Sequence, residues 1–177
     1  MWARRAGLGL LAGLIGVGCS GSVAWVDGSY RDHRYDFRIG APAGPGPTWQ
    51  RVKVDDAALS FRRDTVGGRD TLSLVPRCGK PVAEAQIMAR ELVIGLDERH
   101  LQAAGPVSIA GRSGWTQTFR TGADAAPVRV KTVTLVVQDC SFDFVLAASG
   151  QADDAEAAFD RWWQSFQLGA RYAEGSG

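Results

Sequence analysis

Short runs of alternating apolar and polar residues fill most of the chain, and in two places they give way to a helical period. Tyr35-Asp36-Phe37-Arg38-Ile39 alternates as a half-buried strand does. Residues 49–54 alternate again, with Trp49, Val52 and Val54 apolar but one step out of register. Residues 59–62 and 71–75 read as short strands joined by a turn at Gly67-Gly68-Arg69-Asp70. Residues 81–100 carry the first helical pattern, with Ala85, Met88, Leu92, Val93 and Leu96 on one stripe and Pro81 suited to the first turn. Met88 is read as core filling, and Gly95 costs this helix about 1 kcal/mol against alanine. Residues 107–110, 115–121, 128–137 and 141–148 are strands rich in Val, Thr, Trp and Phe. Gly111-Arg112-Ser113-Gly114 turns between the first two, and a hairpin joins the last two at Gln138-Asp139.

Residues 153–167 form the second helix. Asp153 at its start and Glu156 three residues on have the spacing of a capping box. Ala155, Phe159, Trp162, Trp163 and Phe166 make one face of unusual aromatic weight. That face packs flat on a sheet or, alternatively, offers Trp162, Trp163 and Phe166 to a ligand or partner. Strands, helix, more strands and a helix predict an α+β fold: an antiparallel sheet of about six or seven strands with helices packed on it.

The N-terminus departs from both periods. Arg4 and Arg5 precede the uncharged run Ala6 to Val17, the form of an export signal. A dozen helical residues reach about 18 Å, short of the roughly 30 Å hydrocarbon core. Gly7, Gly9, Gly13, Gly16 and Gly18 also argue against a buried helix. Within this run Gly7-Leu8-Gly9-Leu10-Leu11-Ala12 spells a dinucleotide fingerprint but follows no strand, so it carries no weight. Ile15-Gly16-Val17-Gly18-Cys19-Ser20 resembles the bacterial lipobox, with the small Gly18 before the cysteine and Gly16 where that motif prefers leucine. The resemblance implies acylation at Cys19, and several acyl chains exceed what stable anchoring needs. Ser20, in place of a retaining aspartate, points to the outer membrane facing the periplasm. An ordinary cleavage site, with Cys19 free or paired, is the alternative. The expected organisation is signal peptide 1–18, lipid anchor and tether 19–34, globular domain 35–168 and loose tail 169–177.

Export bears on the other two of the three cysteines. In an oxidising compartment Cys78 and Cys140 are expected to form a disulfide. Closing a loop of about sixty residues stabilises by roughly 4 kcal/mol on the chain-entropy model. The chain has no Cys-x-x-Cys and only two histidines, so neither redox chemistry nor a metal site is expected.

The 177 residues suit one domain, and the 45% apolar content is that of a globular chain. Without residues 1–18 there are 18 basic against 19 acidic residues, a net charge of −1, so nucleic acid is not an expected partner. Gly111-Arg112-Ser113-Gly114-Trp115 lacks the final glycine of a nucleophile elbow. A hydrolase pairing of Ser113 with His100 is the remotest reading. Arg62, Arg63, Arg112, Arg120, Arg129 and Lys131 are taken as solvated strand faces.

Phe37-Arg38-Ile39-Gly40-Ala41-Pro42 followed by Trp49, the strand and turn Val107-Ser108-Ile109-Ala110-Gly111, and the closing Phe159 to Phe166 resemble the PsbP-like superfamily. That superfamily takes in DcrB-type bacterial lipoproteins and Mog-type import factors. The resemblance covers residues 35–168 and implies an α/β/α sandwich. It also implies an accessory or binding role on a larger assembly, with no shared catalytic residues and no cofactor. The expectation is a non-enzymatic envelope lipoprotein. It holds the membrane through its N-terminal lipid and binds a protein partner. A small-ligand or lipid carrier is the alternative.

Overall fold

Cross-strand pairing turns the alternating runs into two antiparallel sheets. The computed structural model describes residues 23–44, 46, 48–79, 83–96, 98–122, 127–150 and 152–173. The larger sheet contains β4 (Gln50–Val52), β5 (Leu59–Thr65), β6 (Gly68–Cys78), β7 (His100–Ile109), β8 (Arg112–Thr121), β9 (Val128–Val137) and β10 (Cys140–Ser149). Its spatial order is β4-β5-β6-β10-β9-β8-β7. The smaller sheet, in the order β1-β2-β3-β11, joins β1 (Val23–Val26), β2 (Ser29–Asp32), β3 (Phe37–Ile39) and β11 (Gln167–Leu168).

Successive strand side chains point to opposite faces, so register decides what each face holds. Phe144 lies opposite Leu74 on one side and Val133 on the other, and Phe142 lies opposite Leu135. These residues share one face of the large sheet. Against it pack helix α2 (Asp153–Gln164) and the inward Phe37 and Ile39 of the small sheet. Phe166 sits among three rings, its centroid 5.5 Å from that of Phe37, 5.2 Å from Phe142 and 5.1 Å from Phe144. Trp162 meets Phe61 and Phe144 edge-on. The α+β expectation, an antiparallel sheet of about six or seven strands with helices packed on it, holds; the large sheet has seven strands, and a second sheet has four.

The cysteines expected to bridge are bonded: Cys78 and Cys140 are directly opposite on β6 and β10 and form a disulfide. Cys140 is fully buried, and the Tyr172 hydroxyl lies 3.3 Å from its sulfur and donates to the Tyr35 carbonyl at 3.0 Å.

Several boundaries differ from the sequence reading. The stretch read as tether holds the β1–β2 hairpin from residue 23 onward. Asp27 and Gly28 have φ of 49° and 74°, left-handed at both central positions as a type I′ turn requires. The β7–β8 turn is Ala110-Gly111, also left-handed at both, and Ser113 and Gly114 are already in strand. A Cβ on Gly114 would stand 2.7 Å from the Thr134 carbonyl oxygen, so glycine permits this close approach. The β5–β6 turn is Val66-Gly67, which puts Arg69 and Asp70 in the ladder.

The first helix is short. Helix α1 spans Ala85–Leu92, and His100 already pairs with Arg120 as the first rung of β7. Ladder hydrogen bonds to β8 win over the continuing helical stripe. Pro81 lies outside the described residues. Ala152, rather than Asp153, is the N-cap of α2, with no side-chain cap bond. Asp153 instead pairs with Arg129 at 3.3 Å. The tail is not loose throughout: Ala170–Tyr172 form a turn of 3-10 helix that buries Tyr172.

Candidate functional site

The second face of the large sheet is built from the alternate positions of the same strands. On β10 and β9 these are Ser141, Asp143, Thr132 and Thr134, all fully buried. On β8 they are Trp115, Gln117 and Phe119, opposite Thr134, Thr132 and Val130. Helix α1 lies on this face against β8, β9 and β10. Buried Ala89 meets the sheet there, and the Gln117 side-chain amide donates to its carbonyl oxygen.

A groove of about 410 Å3 opens between α1 and β7–β8. Its floor is Trp115, Gln117 and Phe119, and its walls include Ile87, Val93, Ile94 and Leu101. Ile94 is 71% exposed, Leu101 60% and Ile87 47%, so three large aliphatic side chains face water around one concavity. Arg90, Glu91 and Arg99 stand at its rim. An apolar hollow with a few polar groups at its edge is the usual form of a binding site. The sequence carried a sign of it. Ile87, Glu91 and Ile94 stand at i, i+4 and i+7, beside the stripe through Ala85, Met88 and Leu92.

Deeper in this face lies a buried carboxylate. Asp143 accepts from Arg77 Nη2 at 2.5 Å and from the Thr134 hydroxyl at 2.8 Å. Burial pushes its pKa above the ordinary carboxylate value, and the bonds from Arg77 and Thr134 hold it back. Nearby Thr132 Oγ1 and Ser141 Oγ are buried without a partner.

The candidate residues from the sequence fall elsewhere. Trp162, Trp163 and Phe166 are buried at 1%, 6% and 1% exposure. They belong to the core and form no ligand or partner surface. Of the two expectations for this face, packing flat on a sheet is the one that holds: Trp162 lies on Phe61 and Phe144 and Phe166 on Phe142 and Phe144 of the large sheet, with Phe37 of the small sheet against Phe166. Cys19 lies outside the described residues. Ser113 pairs with Ser108, whereas His100 pairs with Arg120 seven residues further along β8, about 23 Å away at strand rise. No hydrolytic pair exists there.

The strand cations are also not all solvated. Arg63 is buried against Asp70 at 2.8 Å and covers the Trp49 ring at 4.8 Å. Arg129 bonds Glu156, which raises its pKa, and Lys131 reaches Asp160 at 2.8 Å, so both fasten the sheet to α2. Arg112 donates to the Tyr172 carbonyl at 2.8 Å. Among the described residues no cluster of His, Cys, Asp and Glu could hold a metal ion, and no helix is long and apolar enough to cross a membrane.

No protein-family model matches the sequence, and no curated protein matches it. Solved structures do match. The solution structure of cyanobacterial PsbP (CyanoP) from Synechocystis sp. PCC 6803 superposes with a TM-score of 0.56 at 17% identity, covering 89% of this chain and 98% of that one. LpqN of Mycobacterium tuberculosis, a protein involved in cell envelope biogenesis, gives 0.52 at 12% identity, covering 75% and 83%. A protein of unknown function from Pseudomonas aeruginosa, PA94, gives 0.50 at 15% identity, covering 82% and 96%. The chain has the PsbP-like fold, and none of these three is named as an enzyme.

Proposed function

We propose that this chain is a bacterial envelope lipoprotein whose folded domain is a non-catalytic binding module. Cys19, acylated after removal of residues 1–18, holds it to the outer membrane on the periplasmic side. The Cys78–Cys140 disulfide suits that oxidising compartment. The single observation that carries the binding role is the open groove at α1, where Ile87, Ile94 and Leu101 stand exposed around the half-buried Trp115. A contact with a hydrophobic centre and a charged rim is the anatomy of a protein interface. The occupant is therefore an apolar segment of a partner protein in a larger membrane assembly. A cell-envelope role is stated for LpqN, and the shared fold makes the same compartment reasonable here.

A photo-reactive residue at position 94, expressed in intact cells, tests the reading. It should give a discrete protein adduct that Leu101→Asp abolishes. Absence of any protein adduct contradicts it. The groove volume also fits a small apolar ligand, the second reading. That reading predicts a copurifying small molecule in the native mass spectrum and no protein adduct.

A further inference from the structure

At the edge of the molecule away from the groove, the β1–β2 hairpin leaves apolar side chains in water. Trp25 is 52% exposed and Val26 36%. Trp25 is the cross-strand partner of Tyr30, their ring centroids 4.6 Å apart. The Arg51 guanidinium covers the other part of Tyr30 at 5.3 Å and donates to the Val23 carbonyl at 3.3 Å. Lys53, two residues on in the chain, is exposed beside this group. Tyr30 in turn meets the core through Phe61 at 5.4 Å, so the hairpin is a fixed projection of the domain. Asp27 at the tip is paired with Arg31 at 3.4 Å.

Chain length says what this projection faces. Val23 is the fourth residue after Cys19, and four residues span at most about 14 Å even when fully extended. A domain attached there cannot hold β1 far from the bilayer surface. Tryptophan and tyrosine favour the level of the lipid headgroups. Arginine and lysine can lay their apolar stems along such a surface while their charges stay wet.

Resting on the assignment of Cys19 as the anchor, we infer that the β1–β2 hairpin is a bilayer contact, with Trp25 and Val26 entering the headgroup region. The contact fixes the orientation of the domain. The hairpin stands beside β4, at one edge of the large sheet, and the groove lies over β8 and β7, at the opposite edge. Five interstrand spacings separate β4 from β8, which floors the groove, about 24 Å. The lipid-facing hairpin therefore presents the α1 groove to the periplasm, clear of headgroups.

The test uses the processed chain, residues 19–177. With Cys78 and Cys140 bridged, Cys19 is its one free thiol. Coupled to a maleimide lipid, it is placed in vesicles of phosphatidylethanolamine and phosphatidylglycerol with or without bromine on the upper acyl chain. Bromine should dim tryptophan emission, and Trp25→Phe should remove that dimming without moving the thermal midpoint. Trp162 and Trp163 are buried and so remain an internal unquenched signal. Equal emission in both vesicle types, or equal dimming in Trp25→Phe, overturns the contact. The coupling fixes the same spacing whether or not the cell acylates Cys19. The mass of the native protein judges acylation separately.

Discussion

The two faces of the large sheet use the same strands, and each carries one helix, but they differ in what they bury. On the α2 side Phe142, Phe144, Phe159, Trp162 and Phe166 interlock in one buried cluster, which Phe37 and Ile39 of the second sheet join. On the α1 side the strands mix Trp115, Phe119 and Val130 with buried hydroxyls, the Gln117 amide and Asp143. The covering helix has only eight residues and leaves a groove beside it. A helix of that length is marginal without tertiary support. One face therefore holds the fold, while the other leaves an open apolar groove, the surface on which the proposed binding role rests.

The largest expected effect lies on the sealed face. Trp162→Ala should cost about 3–5 kcal/mol in denaturant unfolding, the range for truncating a fully buried large aromatic. A loss below about 1 kcal/mol would mean that this face is not the stabilising one.

That face was legible in the sequence because its periods are long and regular. Strands through Phe37, Leu72 to Leu74 and Phe142 to Leu146, together with the aromatic helix, could be read from alternation alone. The direction of the reading was not complete. Periodicity shows that Trp162, Trp163 and Phe166 share a face, but not that Phe37 of a second sheet joins Phe166 there. The hairpin carried its own signal, Asp27-Gly28 between Val23-Ala24-Trp25-Val26 and Ser29-Tyr30-Arg31-Asp32. Its polar residues and its nearness to Cys19 made it resemble a tether. The stripe beyond Leu92 misled because Val93 and Leu96 keep the helical spacing while the backbone there only turns, Ile94 N–H bonding the Glu91 carbonyl and Leu96 N–H the Val93 carbonyl, and neither the end of a short helix nor the pairing with β8 is written in a local period. The groove depends on Ile94, Leu101, Trp115 and Phe119 from three stretches of chain lining one hollow, which no single segment records.

A middle-sized effect is expected on the α1 side. The raised folded-state pKa of Asp143 means that its contribution to stability is full below the unfolded carboxylate value and is lost as pH rises through the folded one. Arg77 opposes that loss by pairing with the ionised form, although its side chain is 47% exposed and water screens part of the attraction. Arg77→Ala should therefore cost about 1–3 kcal/mol near neutral pH, where a buried carboxylate is left short of a donor. The gap to the wild type should close on acidification, as Asp143 takes a proton in both proteins. Thermal midpoints measured from pH 7 down to pH 3 decide the sign. A gap that widens towards acid would refute it.

The smallest stability effect is expected at the groove itself. Ile94→Asp should shift unfolding by less than about 0.5 kcal/mol, as substitutions at exposed positions do. The same change should remove capture of the partner. A variant with a normal thermal midpoint and no capture separates the binding face from the stabilising one. Undiminished capture would place the interface elsewhere on the domain.

The proposed anchoring and export set where either face would work, and the intact mass of the native protein extracted from membranes tests them together. The expected mass is that of residues 19–177 carrying acyl chains on Cys19, two hydrogens lighter than its fully reduced form because Cys78 and Cys140 are joined. A polypeptide beginning at Met1, without acyl chains and with three free thiols, would contradict it.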